Sequence, residues 1–229
     1  MSERTEIIQS AIWASELTTD EFERAARGIT ERRFDKGNYL FHRGDKVDYW
    51  HGVVTGLVKM SSVSQSGKAI TFAGIGAGGW FGEGSVLKDE WRRYDLVAIR
   101  NTHALLMNRA TFMWLYENSV GFNRFLVRQL NERLAQFIAT TEYERLLDPK
   151  ARVARQISWL GNPLLCPHVG NVIEITQDEL ALLATVSRPL VNRSLQELAQ
   201  EGLLDFAHGA ITVINRQKLG DYGAIEDFS

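Results

Sequence analysis

The chain has 229 residues and a mass of 25.9 kDa, with 26 Lys and Arg against 28 Asp and Glu and a formal charge of −2. A hydrophobic fraction of 45 % and a charged fraction of 24 % suit one large or two small globular domains and exclude disordered, collagen-like and disulfide-rich classes. A sequence pI near 6.2 also argues, at first sight, against nucleic acid, since phosphate-binding domains often carry a basic excess.

The single cysteine, Cys166, rules out an intramolecular disulfide and any thiolate cluster within one chain, so no iron-sulfur cluster is expected; it reads as a small buried hydrophobe. The polar start, Met1-Ser2-Glu3-Arg4-Thr5-Glu6, and the lack of a long apolar run predict a soluble cytoplasmic protein with no membrane partner.

Eleven of the 19 glycines fall between Gly37 and Gly84, separating short apolar or alternating runs such as Tyr39-Leu40-Phe41, Leu57-Val58-Lys59-Met60 and Ile70-Thr71-Phe72. Leu96-Val97-Ala98-Ile99 and Ala104-Leu105-Leu106-Met107 follow. Short strands at this spacing predict a β-sandwich or barrel over about 30–108. From Thr111 to Leu147 there is one glycine and no proline, and apolar residues recur at Phe122, Leu126, Leu130, Leu134 and Phe137. That spacing predicts one long helix with an apolar stripe. A helix of such length suits self-association along the stripe; packing on the β domain is the alternative. Asp148-Pro149 ends this helix and opens another, with Asp148 as cap, and a domain boundary is placed near Asp148.

Thr176-Gln177-Asp178-Glu179 has the spacing of a capping box and opens a helix through Leu180, Leu183 and Ala184. Ser187 is placed to cap a second helix, Arg188 to Glu201, with Gly202 as its stop. Leu190, Val191, Leu195 and Leu198 are expected inside, and Arg188, Asn192, Arg193 and Gln196 outside. Two strands around Ala207-His208-Gly209-Ala210 complete a winged helix-turn-helix. Such a motif seats the start of its second helix in the major groove, where Arg bonds guanine and Asn pairs with adenine. Arg188, Asn192 and Arg193 are therefore candidate DNA contacts, and Thr176 and Ser187 candidate phosphate contacts. The fold class read from the whole chain is α+β.

The order of β domain, long helix and winged helix resembles the CRP/FNR family of bacterial transcription regulators over almost the whole chain. Gly82-Glu83 with Arg93 carries the likeness in the ligand region, and Ile175 to Ala181 with Val186 to Arg193 carries it in the DNA-binding region. The resemblance implies a jelly-roll-like cyclic-nucleotide-binding domain over 1–110, a dimerisation helix over 111–147 and a winged helix-turn-helix over 148–229. It further implies a homodimer on a pseudopalindromic duplex-DNA operator, with RNA polymerase as partner if the protein activates. Counting eleven residues from Gly82 assigns Arg93 to the cyclic phosphate, and Glu83 to the ribose hydroxyl.

The surroundings depart from the family pattern. Gly84 follows Glu83 where Leu is usual, and Tyr94 follows Arg93 where a small hydroxyl residue is usual. The helix positions that supply adenine-bonding hydroxyls in cyclic-AMP-binding members are Phe137 and Ile138. An apolar pair leaves the base's polar edge unpaired, at about 1 to 3 kcal/mol per group, which argues against cyclic AMP. The effector candidates are another nucleotide, including another cyclic one, an apolar or aromatic small molecule, or none. The effector-binding candidates are thus Gly82, Glu83, Arg93, Tyr94, Phe137 and Ile138. Pro189 stands where many members carry an acidic base reader, so a different operator is expected. The five scattered histidines offer no metal centre and no catalytic constellation appears, so an enzyme is not expected. A ligand-binding module without DNA readout is the rival reading. From Arg145 onward eight basic residues face ten acidic ones, which predicts weak non-specific DNA binding and dependence on a few placed arginines.

Overall fold

The computed structural model describes residues 3–64, 67 and 69–223. The chain divides into two compact units, Met1–Glu132 with Pro163–His168, and Arg133–Asn162 with Val169–Ser229.

The first unit opens with α1 (Glu3–Gln9), a 3-10 turn (Ile12–Glu16) and α2 (Thr19–Arg27). Thr18 and Glu21 form a reciprocal capping box on α2, which satisfies two otherwise unpaired backbone donors. Eight strands and a short helix follow: β1 (Ile29–Phe34), β2 (Tyr39–Phe41), β3 (Tyr49–Thr55), β4 (Val58–Val63), β5 (Ala69–Ile75), β6 (Trp80–Phe81), α3 (Glu83–Lys88), β7 (Asp95–Ala98) and β8 (Thr102–Asn108). They form two four-stranded antiparallel sheets, ordered β1-β8-β3-β6 and β2-β7-β4-β5. This is the expected jelly-roll-like β domain.

The N-terminal helices hold part of the core, which composition alone did not reveal. Trp13 is fully buried and packs against Trp50, Trp80 and Phe122 with ring centroids 6.0, 5.3 and 6.2 Å away. Phe112, from α4 (Arg109–Asn118), meets Trp50 edge-on at 5.3 Å. Edge-to-face aromatic pairs add to the area they bury, so this cluster ties helices to the first sheet.

The stretch expected to form one helix from Thr111 is two helices. Ser119 is extended (φ −110°, ψ 113°), and its hydroxyl accepts from the Phe122 amide at 3.2 Å, capping α5 (Val120–Leu146). The apolar stripe divides as well. Phe122 and Leu126 are buried, whereas Leu130 and Leu134 are exposed, because each four-residue step advances about 40° around a helix of 3.6 residues per turn.

The second unit holds the rest of α5, α6 (Pro149–Trp159), β9 (Val172–Glu174), α7 (Gln177–Ala184), α8 (Arg188–Gln200), β10 (Leu204–Ala207), β11 (Ala210–Val213) and α9 (Arg216–Gly220). Asp148 caps α6 through the Ala151 amide at 2.9 Å, and Thr176 and Glu179 cap α7 reciprocally. The wing pairs Ala207 with Ala210, so its turn is the two residues His208 (φ 51°) and Gly209 (φ 82°). Two left-handed residues in succession match the twist of a hairpin. β9 adds a third strand beside β11 that the sequence reading did not anticipate.

Candidate functional site

In the second unit, α8 buries Val191, Ser194, Leu195 and Leu198. Leu190, expected inside, is 38 % exposed, since it lies about 100° from Val191 on the helix. The outward face brings together Arg188, Pro189, Asn192, Arg193 and Gln196, which with Gln177 of α7 line an open groove of about 400 Å³. Asn192 Nδ2 donates to Gln177 Oε1 at 3.4 Å, Arg188 Nε lies 3.6 Å from Asp178 Oδ1 and Arg193 Nε bonds Glu197 Oε1 at 2.8 Å. Ser187 sits at the N-cap of α8 by position, but its hydroxyl makes no capping bond. Pro189 lies in the first turn, where its missing N–H costs no intrahelical bond. Thr176 is used as expected, in its capping box. Behind this face, Arg152 of α6 donates to the carbonyls of Ala184 and Thr185, fixing the turn between α7 and α8.

In the first unit, Gly82, Glu83 and Tyr94 come together around an arginine, and that arginine is Arg92. Arg93 points outward, its side chain 76 % exposed and paired with Glu90 at 2.9 Å. Arg92 is 3 % exposed; its Nη2 donates to the Tyr49 carbonyl at 2.5 Å and its Nη1 to the Gly82 carbonyl at 3.5 Å. The guanidinium lies 4.2 Å above the Phe41 ring. Burial pushes its pKa below the ordinary value, opposed by Tyr94, Glu83, Asp45 and Asp48. Gly82, at φ +91°, leaves space that a Cβ would deny, 2.5 Å from Arg92 Nη1. Glu83 is buried at 3 % exposure and accepts from Trp50 Nε1 at 3.4 Å. His51, stacked on Phe81 at 5.4 Å, has its pKa lowered to about 3 by burial first and by Arg92 second.

Counting from Gly82 missed Arg92. Burial alternates along the segment that enters β7: Arg92, Leu96 and Ala98 are buried, Tyr94 is half-buried and Arg93 is exposed. That two-residue period, extended back from Leu96, was the available signal.

Phe137 and Ile138 belong to the second unit. They line a groove of about 410 Å³ with Thr141, Glu142 and Arg145. Among the described residues, no group of three or more His, Cys, Asp or Glu is placed to hold a metal ion, and no helix is long and apolar enough to cross a membrane.

Residues 31–119 match the cyclic nucleotide-binding domain family, and residues 151–222 match the Crp-like helix-turn-helix domain family. This chain belongs to the CRP/FNR family. Among the relatives of this CRP/FNR protein is the "Cyclic AMP receptor protein" of Thermus thermophilus, 29 % identical over 86 % of this chain and 89 % of that one. The "cAMP-activated global transcriptional regulator CRP" of Haemophilus influenzae is 27 % identical over 76 % and 79 % of the two chains. FixK2 of Bradyrhizobium japonicum shares the fold with a TM-score of 0.72 at 21 % identity, covering 86 % of this chain and 98 % of that one. The chain is therefore a CRP-like transcription regulator with a cyclic-nucleotide-binding-type domain and a DNA-binding helix-turn-helix.

Proposed function

We propose that the protein works as a homodimer that reads a pseudopalindromic operator and whose β domain senses a small effector. The observation that carries the DNA reading is the outward face of α8, which gathers Arg188, Asn192 and Arg193 beside Gln177 while Val191, Leu195 and Leu198 are buried behind it. Arg188 and Arg193 are the guanine readers in this proposal and Asn192 an adenine reader. Thr176 and Ser187 contact phosphates, Ser187 with the hydroxyl that capping leaves unused.

The dimer reading rests on α5. Val127, Leu130, Leu134 and Ile138 are exposed at 67, 38, 57 and 59 %, while Phe122, Phe125 and Leu126 near the start of the helix are buried. With Phe137, the sequence Val127, Leu130, Leu134, Phe137 has the three-four spacing of a coiled-coil seam. An exposed apolar row of this kind suits a second copy of the same helix. A two-fold pair of α8 helices then meets half-sites about one helical turn, ~34 Å, apart.

For the effector, Gly82, Glu83, Arg92 and Tyr94 are the proposed β-domain contacts, with Phe137 and Ile138 retained from α5 on the family correspondence. Arg92 replaces Arg93 as the anion-facing cation. Cyclic AMP stands in the names of both curated relatives given above; the apolar Phe137 and Ile138 argue that this protein prefers another effector. Such a ligand controls DNA binding by favouring the DNA-competent arrangement of the dimer over the other. RNA polymerase is the proposed partner if the protein activates, and the cytoplasm its place of action.

Sedimentation equilibrium combined with a gel-shift titration against unrelated competitor duplex tests this reading. A dimer that holds one duplex through excess competitor supports it. A monomer, or a complex that any competitor removes in proportion to its mass, refutes it and favours the ligand-binding module without DNA readout.

A further inference from the structure

The polar side chains proposed to read DNA are already engaged with the protein itself. Arg188 is paired with Asp178 at the start of α7, both side chains about two-thirds exposed. Arg193 is paired with Glu197 one turn along α8, and Glu197 also receives Lys150 at 3.2 Å. Those two cations hold the Glu197 carboxyl below the usual carboxylate range, Arg193 first. The reading face therefore presents two arginines and two carboxylates, and the second unit as a whole has no basic excess.

Exposed ion pairs contribute little to stability, about 0 to 1 kcal/mol, so stabilising the fold is a weak reason for these two. They matter more for DNA. Non-specific association comes almost entirely from cations that neutralise phosphates and release counterions. An arginine that keeps its carboxylate on a random duplex contributes no such contact, and the carboxylate is left facing a polyanion. On the operator the same arginine exchanges the carboxylate for the paired acceptors O6 and N7 of guanine. The carboxylates thus remove more affinity from wrong sequences than from the right one, which is how like-charge elements generate specificity.

We infer that Asp178 and Glu197 are specificity-determining residues, which neutralise Arg188 and Arg193 in the free protein and so suppress binding to non-operator DNA. This rests on the DNA-reading role proposed above. A predicted consequence is that Asp178→Asn raises affinity for a scrambled duplex of operator length by about tenfold at low salt, and affinity for the operator by threefold or less. The logarithmic salt dependence for the scrambled duplex steepens by about 0.9, the increment for one more phosphate neutralised. Glu197→Gln changes both quantities in the same direction. Asp178→Glu keeps the charge and behaves like the wild type, and unchanged melting temperatures for the Asp178 variants separate the effect from folding.

The experiment is a fluorescence anisotropy titration of wild type and variants on both duplexes at several salt concentrations. A falling ratio of operator to scrambled affinity in Asp178→Asn, restored in Asp178→Glu, supports the inference. A selective wild type whose ratio and salt slope are unchanged in Asp178→Asn overturns the inference alone. A wild type with no preference for any duplex overturns the DNA-reading role, and the inference falls with it.

Discussion

The Arg92 guanidinium lies on the Phe41 ring and bonds the Tyr49 and Gly82 carbonyls, so deleting it leaves buried acceptors and the Glu83 carboxylate without their cation. Arg92→Ala should destabilise the β domain by ~3 kcal/mol, in the range for breaking one partner of a buried charged group. Arg93→Ala, at an exposed pair with Glu90, should change stability by less than ~0.5 kcal/mol. Urea denaturation of the two variants distinguishes them. His51 gives a pH signature. Its folded pKa of about 3 lies below the ordinary histidine value of 6.5, so below pH 6.5 the unfolded chain binds a proton that the folded chain refuses. Stability from this group is complete above pH 6.5 and declines by ~1 kcal/mol per pH unit as pH falls toward 3. His51→Phe should flatten that slope in denaturant melts between pH 4 and 7. Residue identities alone announced Gly82 and Glu83. They did not distinguish Arg92 from Arg93, because a count along the sequence carries no information about which face of an extended segment turns inward.

At the scale of elements, caps and turns were the most legible features, because each is a local contract between two or three residues. Asp148, the Thr176 and Glu179 pair, and His208-Gly209 all act within a few positions of themselves. Removing the Thr176 hydroxyl by Thr176→Ala should cost ~1 kcal/mol of second-unit stability, measurable by urea melts. The division of α4 from α5 at Ser119 was not read from the sequence, although Gly121, the one glycine of the stretch, stands two residues on; the apolar periodicity runs through that point, and the break depends on a hydroxyl capping Phe122. The early apolar residues of the predicted stripe also turned inward, and the exposed row is set by Val127, Leu130, Leu134 and Ile138. Placing a charge in that row tests the proposed seam: Leu134→Glu, at a position 57 % exposed in the single chain, should leave circular dichroism unchanged and shift sedimentation from dimer to monomer. A dimer that survives this change removes α5 as the seam.

For the molecule as a whole, the near-neutral charge that first argued against DNA is compatible with a DNA-binding regulator. On the proposed reading, a face with arginines and carboxylates in equal number needs little net charge to hold an operator and disfavours other sequences. The order of β domain, long helix and winged helix was legible in glycine spacing and helical periodicity, but the Trp13 cluster joining N-terminal helices to the β sheet was not, because it forms between residues distant in sequence. The surroundings of Arg92 were equally out of reach: they are supplied by Phe41, Tyr49 and Gly82, whose convergence only the fold reveals. Whether a two-fold dimer reads DNA through α8 is decided by selecting bound duplexes from a random library with wild type and Arg188→Ala in parallel. The account predicts an inverted repeat with half-sites about one helical turn, ~34 Å, apart, and in Arg188→Ala a relaxed guanine position at a cost of ~1 to 3 kcal/mol. Recovery of no common sequence, or of a single asymmetric site that Arg188→Ala leaves unchanged, would contradict it.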